Sequence, residues 1–152
     1  MSQQQLRDAV LDGLRRFAAT DAELGREFAR SHRMHPSDAA AIVEILAAEG
    51  RGQVLTPARL AERIGLTPAA TSSLLKRLEA AGHITRTHDH ADRRVVGLRS
   101  TPAIHQDAEA FFAPVARALD NVLRKYSAEQ LRDVHNVVTA LRAATAGTPL
   151  IQ

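Results

Sequence analysis

The chain has 152 residues, no cysteine, 3% aromatic residues and a formal net charge of +3. That length suffices for one domain that buries roughly 68–70% of its unfolded surface, and the lack of cysteine excludes disulfides, cysteine-ligated zinc and thiol redox sensing. Scarce aromatics and no tryptophan argue against base-stacking single-strand binders. No apolar run approaches the ~18 residues of a membrane span and Met1 to Arg16 lacks a signal peptide's apolar stretch, so a cytoplasmic protein without a membrane partner is expected.

Charge is unevenly spread. Residues 1–50 carry six Arg or Lys against eight Asp or Glu, residues 51–99 nine against four, and residues 100–152 five against five. The middle third thus holds a net +5, which suits either a solvated basic face or a surface that meets a polyanion.

Leu6, Val10, Leu14, Phe17, Leu24 and Phe28 recur at helical intervals and predict a long amphipathic helix from about Gln5 to His32. One apolar stripe of that length exceeds what a small core covers, so part of it is expected to meet another subunit. His35-Pro36-Ser37 interrupts the helix, and a second one is expected to start at Pro36 or Ser37. It carries Ile42, Ile45 and Leu46 and ends at the turn Gly50-Arg51-Gly52.

Thr56 is then an N-cap candidate with Pro57 at the first helical position, where a missing N–H costs little. Leu60, Ala61 and Ile64 form that helix's inner face before Gly65 ends it. Thr67-Pro68 repeats the start, Ala70, Leu74 and Leu78 are expected inward, and Gly82 closes the helix after Ala81. Two short helices joined by Gly65, Leu66 and Thr67 give a helix-turn-helix pattern.

His83 to His88 and Arg94 to Arg99 are β-compatible runs flanking the polar tip Asp89-His90-Ala91-Asp92-Arg93, a hairpin too long for a two-residue turn. Guanidinium groups at such a tip suit the narrow, negative minor groove. Asp92 is expected to orient Arg94 or Arg86 by charge-assisted hydrogen bonds.

Here the chain resembles the MarR family of bacterial winged-helix transcription regulators. The resemblance rests on the helix pair Thr56 to Ala81, the link Gly82-His83-Ile84-Thr85-Arg86, and the triplet Asp92-Arg93-Arg94 with Thr101 nine residues after Asp92. The family's wing closes with Leu-Thr and a glycine three residues on, where this chain has Ser100 and Ile104. The resemblance implies a mainly α fold with a small β-wing, in a single MarR-like domain over 1–152. It combines a winged helix-turn-helix lobe at 53–101 with a helical dimerisation region at 5–35 and 102–146. It also implies a homodimer with interlocked terminal helices, and often a small aromatic or anionic effector that releases DNA. The corresponding pocket would involve Phe17, Phe28, Met34, His35, Phe111 and Phe112.

The C-terminal third fits that arrangement. Thr101-Pro102 starts a helix carrying Ile104, Ala108, Phe111, Val115, Leu119, Val122 and Tyr126, with Pro114 expected to kink it. Ser127 and Gln130 form a capping box for a last helix carrying Leu131, Val134, Val138 and Leu141.

The expected function is sequence-specific binding of double-stranded DNA by a ligand-responsive repressor, a homodimer on a pseudo-palindromic operator. Recognition-helix candidates are Thr67, Pro68, Ala69, Thr71, Ser72, Ser73, Lys76 and Arg77, where small and hydroxyl side chains suit close approach and the cations reach phosphate or guanine edges. Wing candidates are Arg86, Asp92, Arg93 and Arg94.

Two alternatives stand beside this. His88 with His90, and His32 with His35, raise a metal-responsive regulator, although their spacing supplies no third ligand. A winged helix used only for protein interaction is the other. No cofactor, resident metal or catalysis is expected: the chain lacks a phosphate-binding glycine loop, HExxH and G-x-S-x-G, and Glu44, Glu49, Glu62 and Glu79 fall where exposed helix faces are expected.

Overall fold

The structure, a computed structural model, describes residues 1–88, 91 and 94–147. Six helices and one two-stranded sheet follow in the order α1 (Gln3–Ser31), α2 (Pro36–Gly50), α3 (Pro57–Ile64), α4 (Pro68–Ala80), β1 (Ile84–His88), β2 (Val96–Ser100), α5 (Pro102–Leu123) and α6 (Ala128–Ala146). The mainly α architecture with a small wing matches the expectation. The chain forms two compact units, residues 1–111 and 112–152.

In the first unit, local chemistry places the helix ends. Ser2 starts α1 through a capping box with Gln5, two residues before the expected start. Near its C-terminal end, Arg30 and Arg26 both donate to Glu23, and these bonds hold the Glu23 carboxyl below the usual carboxylate range. Arg33, at φ 53°, turns the chain out of α1, a left-handed conformation that costs a non-glycine residue about 1 kcal/mol or more. His35 then precedes α2, with Pro36 in its first turn.

Thr56 Oγ1 accepts from the Arg59 N–H at 3.3 Å and Thr67 Oγ1 from the Ala70 N–H at 3.2 Å, so each helix of the central pair begins on a threonine cap followed by proline. Between them Gly65 adopts φ 68°, where a side chain would be strained. This lets Leu66 N–H return to the Ala61 carbonyl at 3.1 Å and ends α3 within a single residue.

The buried core of this unit is assembled from every element: Phe28 of α1, Ile42 and Ile45 of α2, Leu60 of α3, Leu74, Leu75 and Leu78 of α4, Ile84 and Leu98 of the sheet, and Ile104 and Ala108 of α5. Each large side chain taken out of water contributes about 1.5–3 kcal/mol. The wing joins this core at its base. Strands β1 and β2 pair antiparallel from Ile84↔Ser100 to His88↔Val96, and Leu55, just ahead of α3, bridges to Leu98.

In the second unit, α5 continues past Pro114 to Leu123. Tyr126 lies beyond its end rather than on its stripe. Ser127 and Gln130 form the expected capping box of α6. Leu119, Val122, Leu123, Val134 and Val137 are exposed in the single chain.

Candidate nucleic-acid interface

Helix α4 follows α3 after a short turn and presents its N-terminal half outward. Pro68, Ala69, Ala70, Ser72, Ser73 and Lys76 are all exposed. Its inner face is Thr71, Leu74, Leu75 and Leu78, an i, i+3, i+4, i+7 set. Two expectations are corrected by this phase. Ala70, expected inward, is exposed, and Thr71, expected to face DNA, is buried at 2% exposure. Hydropathy favoured the alanine, but the geometry of Leu74, Leu75 and Leu78 points the threonine inward.

Arg77, also exposed, is paired with α2. Its Nη2 donates to Asp38 Oδ1 at 2.7 Å, an ion pair in which the Asp38 side chain is 6% exposed. The Arg77 side chain itself remains about half exposed, at 47%. Arg86, on β1, pairs with Glu79 on α4. Asp92 and Arg93 lie outside the described residues, as do Asp89 and His90, and Arg94 is exposed beside them.

Two further contacts set the wing and were not anticipated. Glu49, expected on an exposed face, is largely covered: its carboxylate accepts from the Ser100 N–H and from the Ser100 hydroxyl, each at 2.7 Å. The Thr101 hydroxyl donates to the Gly82 carbonyl at 2.8 Å, closing the base of the wing onto the end of α4. The advance signal was the polar Ser100 where the MarR pattern has leucine, because a part-buried Ser N–H and O–H each require a hydrogen-bond acceptor.

A cavity of about 450 Å³ opens between α3, α4 and β1. Pro57, Ala61, Leu66 and Leu75 give it an apolar lining, and Thr71 and Arg86 bring polar groups to it. The Thr71 hydroxyl is buried without a hydrogen-bond partner, a state that costs about 1–3 kcal/mol. The residues of the expected aromatic pocket are found as follows. Phe28 is fully buried core, its ring 5.4 Å from that of Phe111 and 4.3 Å from His32. Phe17 is exposed, Met34 half-buried and His35 exposed, and Phe112 falls in the second unit.

Two histidines lie beside carboxylates, His105 at 3.7 Å from Glu49 and 3.8 Å from Glu109, and His32 beside Asp107. His32 Nε2 lies 3.3 Å from Asp107 Oδ2, and its Nδ1 lies 3.1 Å from the Phe28 carbonyl. Among the described residues no group of three His, Cys, Asp or Glu side chains is placed to hold a metal ion. No helix among them is long and apolar enough to cross a membrane.

The MarR family model matches residues 34–95, from the α1–α2 turn into the wing. The uncharacterized HTH-type transcriptional regulator YcgE of Bacillus subtilis (strain 168) is 29% identical over 84 residues, 55% of this chain and 54% of YcgE, so the match spans about half of that relative. Two solved structures share the fold. One is S. aureus MepR in DNA-binding conformation, with TM-score 0.67 and 17% identity over 87% of this chain and 95% of that one. The other is a MarR family protein from Bacillus stearothermophilus, with TM-score 0.57 and 24% identity over 96% and 99%. The stretch that holds the helix-turn-helix and the first strand of the wing is thus similar to the MarR family of regulators.

Proposed function

We propose that this protein is a sequence-specific double-stranded-DNA-binding transcriptional regulator that acts as a homodimer in the cytoplasm, and that it is a repressor released by a small ligand. The observation that carries the DNA reading is the outer face of α4. Ala69, Ser72, Ser73 and Lys76 are exposed there behind a threonine-capped helix N-terminus. Small and hydroxyl side chains admit the helix into the ~12 Å major groove, the N-terminus favours a phosphate oxygen, and Lys76 adds a cation. The net +5 of residues 51–99 supplies the sequence-independent attraction. Arg94, with Arg93 beside it in sequence, would enter the flanking minor groove. MepR, which shares the fold, is known in a DNA-binding conformation.

Exposed apolar side chains support the dimer. Leu6, Val10, Leu11 and Phe17 line α1 in the first unit, and Leu119, Val122, Leu123, Val134 and Val137 lie in the second. Solvated stripes of this kind mark association surfaces. Two-fold symmetry then sets two copies of α4 about 34 Å apart, on successive major grooves. For the effector, the cavity beside Thr71 is favoured over the aromatic set, since it joins apolar walls to an unused hydroxyl and a guanidinium.

Selection from a random duplex library tests the reading. Enrichment of an inverted repeat with half-sites about 10 base pairs apart is expected; no enrichment over the starting library would overturn it.

A further inference from the structure

Arg77 lies on the exposed side of α4, a turn beyond the small residues that face outward, where a DNA-reading helix would carry a long cation. Its guanidinium is held by Asp38 Oδ1 at 2.7 Å, across a sequence separation of 39 residues. Asp38 is the third residue of α2 and is buried, at 4% exposure. Its second oxygen accepts from the His35 N–H at 3.4 Å. His35 directly follows the turn in which Arg33 takes its left-handed conformation. One desolvated carboxylate is therefore shared between the recognition helix and the hinge that joins α1 to α2.

Such a carboxylate is stable in that position only with its partner in place, because an unpaired buried charge is strongly unfavourable. Arg77 is the strong partner; the 3.4 Å contact to His35 is long for a charge-assisted bond. Anything that turns the first turn of α2 must drag Arg77, and α4 with it, or break the pair.

We infer that Arg77 is a positioning residue and not a DNA contact: through Asp38 it sets the orientation of α4 and couples it to the α1–α2 hinge. The inference rests on the DNA-binding reading of α4. It has a distinctive sign. Asp38 is a negative charge in the DNA-facing lobe, so on electrostatics alone its removal tightens duplex binding. A positioning role requires the opposite. An arginine touching phosphate, in turn, contributes about one unit to the slope of log affinity against log salt, whereas a positioning arginine contributes none.

The test compares wild type with D38N, R77M, the double variant and R77K in anisotropy titrations over a salt series. The probes are a duplex selected by the wild-type protein and a random duplex of equal length. D38N and R77M are each expected to weaken the selected complex about tenfold or more with the salt slope unchanged. The double variant should be no weaker than R77M, R77K should recover part of the loss, and the random duplex should be bound almost as before. D38N binding as tightly as wild type or tighter overturns the inference, and so does an R77M slope reduced by about one. A wild-type protein that binds neither duplex refutes the DNA reading itself. Hydrogen exchange then decides the coupling separately: faster exchange in α4 and in the first turn of α2 in both variants is expected, and unchanged protection in both overturns it.

Discussion

Glu49 grips Ser100 with both carboxylate oxygens, one accepting from the backbone N–H and the other from the hydroxyl, each at 2.7 Å across 51 residues of sequence. This polar clasp stands where the MarR pattern places an apolar residue, and it fastens the return strand of the wing to α2. Replacing Glu49 by Ala strands a part-buried N–H and O–H and should cost about 2–4 kcal/mol, at about 1–3 per unsatisfied group less what water recovers. For a chain of this size that lowers the melting temperature by roughly 4–16 °C. A thermal melt of E49A that overlays wild type would remove the clasp from the account.

A close approach at the wing makes a second prediction. A Cβ on Gly97 would lie 2.6 Å from Val54 Cγ1 and 2.8 Å from Thr87 Oγ1. G97A should therefore destabilise by about 1–3 kcal/mol through overpacking, and V54A in the same chain should recover part of the loss. Chemical denaturation of the single and double variants measures both, and a G97A protein as stable as wild type would contradict the packing described.

Thr71 predicts a change in the other direction. Its hydroxyl is buried and without a partner, so T71V, nearly equal in shape, relieves an unsatisfied polar group. Stability should rise by up to about 1–2 kcal/mol, read as a higher denaturation midpoint in the ligand-free protein. A lower midpoint would show that the hydroxyl is satisfied in solution.

The α1 ion pairs add a pH dependence. Hydrogen bonds from Arg30 and Arg26 depress the Glu23 carboxyl in the folded state. A depressed carboxylate contributes stability above its unfolded pKa and loses it as pH falls through the folded value. Wild type should therefore melt slightly above E23Q near neutral pH, and the gap should close in acid, as pH falls below the ordinary carboxylate range. A gap that persists or widens there would exclude the carboxylate as its source.

What could be read from sequence was local. Thr56-Pro57, Gly65, Thr67-Pro68 and the Ser127–Gln130 box each act on backbone groups within four residues, so their spelling alone placed helix boundaries. The pairs Asp38–Arg77, Glu49–Ser100 and Glu79–Arg86 depend on how helices and strands cross, which no spacing encodes. Helix α4 shows the boundary between the two. Its existence and ends were legible, but its rotation was not, because a polar Thr71 sits inward and an apolar Ala70 outward. The inner face of α4 changes accordingly, gaining Thr71 and losing Ala70.

On the wing, R94A should weaken duplex binding by about 1–3 kcal/mol with the fold intact. Gel-shift titration alongside circular dichroism checks this, and wild-type affinity in R94A would refute a minor-groove role for that side chain.

The central claim, that α4 and the wing hold duplex DNA by sequence, is tested most directly by anisotropy titration of the wild-type protein with a selected and a random duplex at two salt concentrations. The account predicts that the selected duplex binds about 10³-fold or more tightly than the random one, and that both complexes weaken as salt rises. Equal affinity for the two duplexes, or no binding at low salt, would contradict it.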